Sequence, residues 1–233
     1  MTKRGLWIGA LICAAALAGP ALAARPPLPA SVTSHLLGPK LVRGEVVIKR
    51  STGAYDYRLD RGRLSKRYAA GSLTLLEKDG NKVQVAVSPT ARVFVNGFPS
   101  TLRRLRLGMY IAVWHGGDQA ASSVLANTKR APKLPTTVSA TLFGPRLIRA
   151  EIALQDTTLH DYRLDRGRIK QVTAFSLVLR ELDGTEVTIE VAPTAHVKVN
   201  GQNVGYVQLR KGMMATTMRD GDAPADQVFA TRK

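Results

Sequence analysis

The feature that most constrains this chain is an internal repeat. Asp56–Arg63 reads Asp-Tyr-Arg-Leu-Asp-Arg-Gly-Arg and returns letter for letter as Asp161–Arg168. Shorter matches follow in the same order, as Asp79-Gly80, Pro89-Thr90-Ala91, Asn96-Gly97 and Gly108-Met109 return as Asp183-Gly184, Pro193-Thr194-Ala195, Asn200-Gly201 and Gly212-Met213. Because the matches keep their order and nearly constant spacing, the chain must fold as two copies of one structural unit.

Within each unit, apolar residues alternate with polar ones. Val83, Val85 and Val87 show this period of two, which is typical of a strand with one buried face. Asp79-Gly80 and Asp183-Gly184 supply hairpin turn signals before these strands, and residues 101–107 could form one helical turn. Five to six short strands with one helical turn predict an all-β protein of two tandem small OB-like β-barrels.

The amino terminus predicts export. Lys3 and Arg4 precede an apolar run over Leu6–Leu17, and Ala21-Leu22-Ala23 is a small-residue cleavage pattern. We therefore expect a signal peptide at 1–23, and a protein of the periplasm, cell surface or exterior with no membrane span after cleavage; an uncleaved anchor is the alternative. Cys13 is the only cysteine, so the mature chain would hold no disulfide and no Cys-ligated metal.

Proline-rich stretches predict the remaining boundaries. We expect a leader at 24–35, a first repeat at 36–129, a linker at 130–141 and a second repeat at 142–233. Each repeat is expected to be a separable domain.

At the end of the shared octapeptide, the positions expected to face inward change from odd to even residue numbers. Tyr57 and Leu59 are odd-numbered, whereas the next inward candidate, Leu64, is even-numbered. A one-residue bulge at Gly62, and another at Gly167, would produce this change. The outward Asp56, Arg58 and Asp60 would then form a surface row of charges. A ligand groove beside each bulge is the functional alternative to this structural interpretation.

The pattern of turn and core residues resembles a known family. It is similar to small β-barrel domains of exported bacterial proteins that are known only as a domain of unknown function. The resemblance covers about 64–127 and 169–230, and in the first copy it rests on Leu64, Ser72–Leu75, Asp79-Gly80, Val83–Val85, Thr90, Val93–Gly97, Leu107–Met109, Ile111 and Val124. It implies a fold and an exported setting, and it brings no catalytic residue.

No motif predicts catalysis or a cofactor. His35, His115, His160 and His196 have no metal-ligand spacing, and neither GxSxG nor a glycine-rich phosphate loop occurs. The carboxylate pairs Asp56/Asp60 and Asp161/Asp165 each enclose an arginine, which is expected to lower both pKa values. We predict a protein that is not an enzyme and needs neither cofactor nor metal.

Positive charge is concentrated in the first repeat. The whole chain carries +17, and residues 36–129 hold 16 Lys+Arg against 6 Asp+Glu, a net +10. Residues 142–233 hold 13 against 11, a net +2. A generic basic surface that keeps the protein soluble is one interpretation, and an anion-binding face is the other. The candidate anion-binding residues are Arg61, Arg63, Lys66, Arg67, Arg103, Arg104 and Arg106.

These observations predict a non-enzymatic binding module of the cell envelope or exterior, whose basic first repeat docks an anionic polymer or surface. One alternative is a structural or protein-interaction scaffold with no polyanion ligand. Another is an OB-like nucleic-acid binder, which would need aromatic side chains on its groove. Export argues against nucleic acid as the physiological partner.

Overall fold

The computed structural model describes residues 28–67 and 71–232. The predicted signal peptide at 1–23 and the first part of the leader, 24–27, lie outside the described residues. Among the residues that are described, no helix has the length and apolar character needed to cross a bilayer.

The two repeats have the same succession of elements. The first contains α1 (Ala30–Leu36), β1 (Leu41–Arg50), β2 (Gly53–Arg67), β3 (Ser72–Glu77), β4 (Lys82–Val95), β5 (Phe98–Ser100), a 3₁₀ turn (Leu102–Arg104), β6 (Tyr110–Gly116) and β7 (Ala121–Asn127). The second contains α2 (Thr136–Leu142), β8 (Leu147–Gln155), β9 (Leu159–Val172), β10 (Ser176–Glu181), β11 (Glu186–Val199), β12 (Gln202–Val204), a 3₁₀ turn (Tyr206–Gln208), β13 (Met214–Asp220) and β14 (Ala225–Thr231). The prediction of an all-β protein is confirmed.

In each repeat, five strands form a closed circuit, in which the last strand pairs with the first. In the first repeat the order is β2-β3-β4-β7-β6 and back to β2, with β4 and β7 parallel and the other pairs antiparallel. The second repeat follows the same order through β9, β10, β11, β14 and β13. Each circuit encloses its own apolar core, built around Leu64, Leu75 and Ile111 in the first repeat and Ile169, Leu179 and Val228 in the second.

The repeats are joined by strand pairing as well as by the chain. β1 pairs antiparallel with β8, so that all fourteen strands belong to one mixed sheet. A third, central core lies between the repeats and contains side chains from both. Its buried members are Leu28, Leu36, Leu37, Leu41, Val46, Ile48, Leu59, Leu142, Phe143, Leu147, Ala150, Ile152, Leu154, Leu164 and Met218.

The segments predicted as leader and linker contribute to this central core. Residues 30–36 and 136–142 form the two helices, and Leu36 and Leu142 are buried there. The boundaries that we placed at residues 36 and 142 therefore fall at the ends of helices that belong to the repeats. Pro29 and Pro135 directly precede the first helical residues, where the missing N–H of proline costs nothing because the first N–H groups of a helix have no partner within it.

The predicted bulge at Gly62 is wrong. β2 pairs with β6 from Tyr57 to Arg63 without a register shift, and the shift in its pairing with β3 lies between Leu64 and Lys66. The buried positions change from odd to even residue numbers because the two faces of β2 pack against different cores. Leu59 lies in the central core, and Leu64 lies in the first repeat's own core. The same exchange occurs in β9 between Leu164 and Ile169, and the pairing shift there follows Ile169 and not Gly167.

Gly62 is required for a different reason. A Cβ at Gly62 would lie 2.5 Å from the carbonyl oxygen of Leu76 on β3, and a Cβ at Gly167 would lie 2.5 Å from that of Arg180. Real Cβ atoms do not come so close to backbone oxygens, so only glycine permits this approach of the two strands.

The shared core predicts that the repeats unfold together. In the chain that starts at Ala24, Trp114 of the first repeat is the only tryptophan. Leu179→Ala in the second repeat's core should cost about 2–5 kcal/mol. If the repeats are coupled, this variant lowers the urea midpoint reported by Trp114 fluorescence as well as the midpoint reported by circular dichroism. Phe175→Ala, at a side chain 65% exposed, is the control and should move neither. An unchanged Trp114 midpoint in Leu179→Ala would establish two independent domains.

Candidate anion-binding surface

Three arginines of the first repeat lie on the segment between β5 and β6. Arg103, Arg104 and Arg106 are exposed, whereas Leu105 between them is only 3% exposed and packs in the first repeat's core. Met109 is buried beside it, and its backbone oxygen accepts a hydrogen bond of 2.8 Å from Leu64 N. The apolar residues therefore hold this turn against the core while the arginines face outward.

Arg67 at the end of β2 stabilises the same turn from the side. Its Nη1 atom donates to the carbonyl oxygens of Leu102, Arg103 and Leu105 at 3.2, 2.7 and 2.9 Å. These carbonyls end a short 3₁₀ segment and have few backbone partners, so a guanidinium placed there satisfies them. Arg67 thus positions the backbone from which the three exposed arginines extend.

The arginines border two open depressions. One, of about 580 Å³, is lined by Arg103, Arg104 and Arg106 together with Phe98. The other, of about 490 Å³, shares Arg103 and Arg106 and adds Lys66, Arg67 and Leu107. No carboxylate among the described residues lines either depression, and the potential there is correspondingly positive. Five of the seven predicted site residues therefore meet on one surface, which we call the basic surface.

The second repeat lacks this surface although it has the same turn. Val207, Gln208 and Arg210 replace Arg103, Arg104 and Arg106, and Val172 replaces Arg67. Arg210 takes over the hydrogen bonds that Arg67 makes in the first repeat, because its Nη1 donates to the carbonyl of Leu209 at 2.9 Å and to that of Val207. In the first repeat Arg67 does this instead, and Arg106 lines both depressions.

Two of the predicted site residues have structural functions. Arg61 is 5% exposed, and its guanidinium donates to the carbonyl oxygen of Pro132 at 3.0 Å and to that of Gly38. Burial lowers the pKa of Arg61 to about 10. Arg61 therefore ties β2 to the segment between the repeats, and its assignment to an exposed anion site was wrong.

Arg63 is also engaged within the fold. Its guanidinium stacks over the Tyr110 ring at 4.4 Å from the centroid and donates to the Tyr110 hydroxyl oxygen at 2.5 Å. It lines neither of the two depressions. A sequence count of positive charge could not separate these residues from the exposed ones, because burial and partner choice depend on the tertiary fold.

A second arrangement of charges occurs in both repeats and has a structural explanation. Arg43 Nη1 on β1 contacts Glu77 Oε2 at 2.7 Å and Asp79 Oδ2 at 2.5 Å. Arg149, Glu181 and Asp183 repeat it, with 2.5 and 3.0 Å. Each arginine links the strand that joins the repeats to the turn of a hairpin in its own circuit.

Two of the octapeptide carboxylates contact basic side chains on the neighbouring strand of their own repeat. Asp60 Oδ2 lies 3.4 Å from His115 Nε2, and Asp165 Oδ2 lies 3.5 Å from Arg219 Nη2. We expected the intervening arginine to lower the pKa of both carboxyls in each pair. Each arginine is shared with other carboxylates: Arg58 lies near Glu45 and Asp118, and Arg163 lies near Glu151 as well as 3.8 Å from Asp161. Burial raises the pKa of Asp165, contrary to that expectation.

The outer face of the strands that join the repeats is also charged. Glu45 on β1 stands directly opposite Glu151 on β8, an arrangement that is destabilising without nearby cations. Arg58 lies 3.9 Å from Glu45 and Arg163 lies 3.5 Å from Glu151. The charges on this face therefore compensate one another. Among the described residues, no group of three or more His, Cys, Asp or Glu side chains could hold a metal ion.

Comparison with protein-family models finds no matching family, and comparison with curated proteins finds no matching protein. The resemblance to small exported β-barrel domains stays a prediction.

The buried glutamates predict a pH-dependent stability. Burial raises the pKa of Glu77 and of Glu181 from 4.5 to about 7, so folding favours their protonated form. The stability that they confer is full below pH 4.5 and is lost as the pH rises through 7. His115, whose pKa is raised by its hydrogen bond with Asp60, acts in the same direction. The urea concentration at the unfolding midpoint should therefore decrease as the pH is raised from 5 to 8.

The double variant Glu77→Gln/Glu181→Gln should lose most of this dependence, because glutamine cannot ionise. Asp79→Asn is the matched control: Asp79 shares Arg43 with Glu77, but its pKa is lowered and lies below this range. It should keep most of the slope between pH 5 and pH 8, because burial, the main cause of the raised pKa of Glu77, is unchanged and only the repulsion from Asp79 is removed. A double variant with the slope of the unmodified chain would contradict the assignment.

Proposed function

We propose that this protein is an exported, non-enzymatic binding module that docks an anionic polymer or surface through the basic surface of its first repeat. The proposal rests on the basic surface. There Arg103, Arg104 and Arg106 line two depressions, Lys66 and Arg67 line one of them, and no carboxylate of the described residues lines either. Clustered cations attract polyanions by Coulomb interaction and by release of counterions. The second repeat, of similar fold, carries no such cluster and serves as an internal comparison.

We also propose that each repeat is a small OB-like β-barrel. The support is the closed circuit of five paired strands, which is the strand number of an OB-fold. Such folds offer a binding face on their second and third strands, here β3 and β4. In this protein the cluster of arginines is not on that face but on the turn before β6.

That location argues against the nucleic-acid alternative. The outward residues of β3 and β4 at the hairpin are Thr74, Leu76, Lys82, Gln84 and Ala86, and none is aromatic. Trp114 and Tyr57 pack against the central core, and Tyr110 is covered by Arg63. Phe94, further along β4, is half-buried. Stacking platforms for unpaired bases are therefore missing from the hairpin part of this face. The scaffold alternative leaves the difference between the two repeats unexplained.

Charge reversal tests the proposal. Arg103→Glu/Arg104→Glu/Arg106→Glu lowers the net charge of the first repeat from +10 to +4. Heparin binding should collapse, and the slope of log K against log salt should fall by roughly 3 in magnitude. The urea midpoint should change little, since exposed sites contribute about 0.5 kcal/mol or less each.

The matched control is Arg146→Glu/Arg180→Glu/Lys211→Glu, three exposed sites of the second repeat that change the total charge by the same amount. It should keep most of the heparin affinity. Equal losses in both triple variants would mean that net charge, and not the basic surface, attracts the polyanion.

The function of Arg67 can be tested separately. In Arg67→Val, which introduces the residue of the second repeat, Arg106 should turn back onto the turn carbonyls as Arg210 does. Heparin affinity should then fall further than in Lys66→Val, which removes one charge from the same depression. The same loss in both variants would show that Arg67 contributes only its charge.

A further inference from the structure

Two large apolar side chains lie exposed at the basic surface. Phe98 is 74% exposed at the start of β5, and Leu107 is 69% exposed just before β6. Phe98 lines the depression with Arg103, Arg104 and Arg106, and Leu107 lines the one that shares Arg103 and Arg106. The two apolar side chains thus flank the same arginines. Sequence reasoning missed both, although each directly follows or precedes a turn glycine.

The backbone at these positions is held by the fold. Phe98 follows the Asn96-Gly97 turn, in which both residues have positive φ, and it pairs with Val95 across the hairpin. Leu107 precedes Gly108, whose N–H donates to Leu64 O at 2.8 Å. Their exposure is therefore a property of well-defined turns that carry large apolar residues where polar ones would be expected.

The second repeat has the same turns with polar residues. Gln202 stands where the first repeat has Phe98, and Lys211 stands where it has Leu107. The fold does not require an apolar side chain at either position. The apolar and the basic residues occur together in one repeat and are replaced together in the other, so we treat them as one surface.

From this combination we infer that the anionic partner is a lipid bilayer surface, with the arginines on the lipid phosphates and Phe98 and Leu107 inserted at the acyl-chain boundary. The inference rests on the proposed function and narrows its ligand. A hydrated polyanion in solution offers no apolar phase to bury these side chains, whereas an anionic bilayer supplies phosphates and hydrocarbon at adjacent depths. Cations alone bind such surfaces weakly, and apolar insertion adds to the electrostatic attraction.

The double variant Phe98→Gln/Leu107→Lys tests this inference, because it introduces the residues of the second repeat and adds one positive charge. The probes are vesicles of phosphatidylcholine with phosphatidylglycerol, vesicles of phosphatidylcholine alone, and inorganic polyphosphate. The unmodified chain from Ala24 should bind the mixed vesicles and not the neutral ones. The double variant should bind the mixed vesicles about tenfold or more weakly, since it loses two buried apolar side chains. Its polyphosphate binding should stay the same or rise.

Phe175→Gln/Val207→Gln is the matched control, since these exposed apolar residues of the second repeat have no arginine cluster beside them. It should bind mixed vesicles like the unmodified chain. Insertion is read directly from Phe98→Trp, whose added fluorescence should shift to the blue on mixed vesicles and be quenched by brominated acyl chains. Phe175→Trp should show neither effect.

The outcomes separate this inference from the proposed function. Binding to polyphosphate with no binding to mixed vesicles, or vesicle binding that the double variant retains, would overturn the lipid assignment and leave the anion-binding module standing. Failure to bind polyphosphate, heparin and mixed vesicles alike would overturn both. Weaker binding of the double variant to mixed vesicles, despite its added positive charge, would support both the proposed function and the lipid assignment.

Discussion

The antiparallel pairing of β1 with β8 determines the arrangement of the whole protein. Each repeat could close its five-strand circuit alone, but its first strand and its helix would then leave an apolar face uncovered. Pairing β1 with β8 brings these faces together around Leu59, Phe143 and Ile152, all at most 1% exposed. Burial of this magnitude is the main favourable term in folding, so the central core is a third structural centre equal in kind to those inside the repeats.

This arrangement explains why one strand can serve two cores. β2 and β9 run from the central core into the circuit of their own repeat, and their alternating side chains supply both. Gly62 and Gly167 lie where the neighbouring strand comes closest, and the buried Arg61 beside Gly62 joins the strand to the inter-repeat segment. Backbone proximity thus explains the glycine of the shared octapeptide, and burial explains the arginine before it, Arg61 or Arg166.

The function that we propose depends on what the repeats do not share. Duplication gives each repeat the same turn before its sixth strand, and the turn carbonyls need a guanidinium partner in both. Arg210 provides it in the second repeat, and Arg67 provides it in the first. The choice of Arg67 leaves Arg106 available beside Arg103 and Arg104. Because of this difference in hydrogen bonding, Arg106 forms part of the basic surface, whereas its counterpart Arg210 stabilises a turn. Phe98 and Leu107 add exposed apolar side chains to the basic surface.

The sequence by itself determined the repeat, the strand-rich character and the excess of charge in the first repeat, because period, turn residues and composition are local properties. Five of the seven candidate residues meet on one surface, since Lys66, Arg67 and the three arginines after residue 102 lie at strand ends and turns. Only the tertiary structure decided that Arg61 is buried, that the parity change at Gly62 needs no bulge, and that α1 and α2 belong to a core shared by both repeats. Each of these depends on which distant segment covers a face, and strand pairing between residues about a hundred positions apart leaves no local pattern in the sequence.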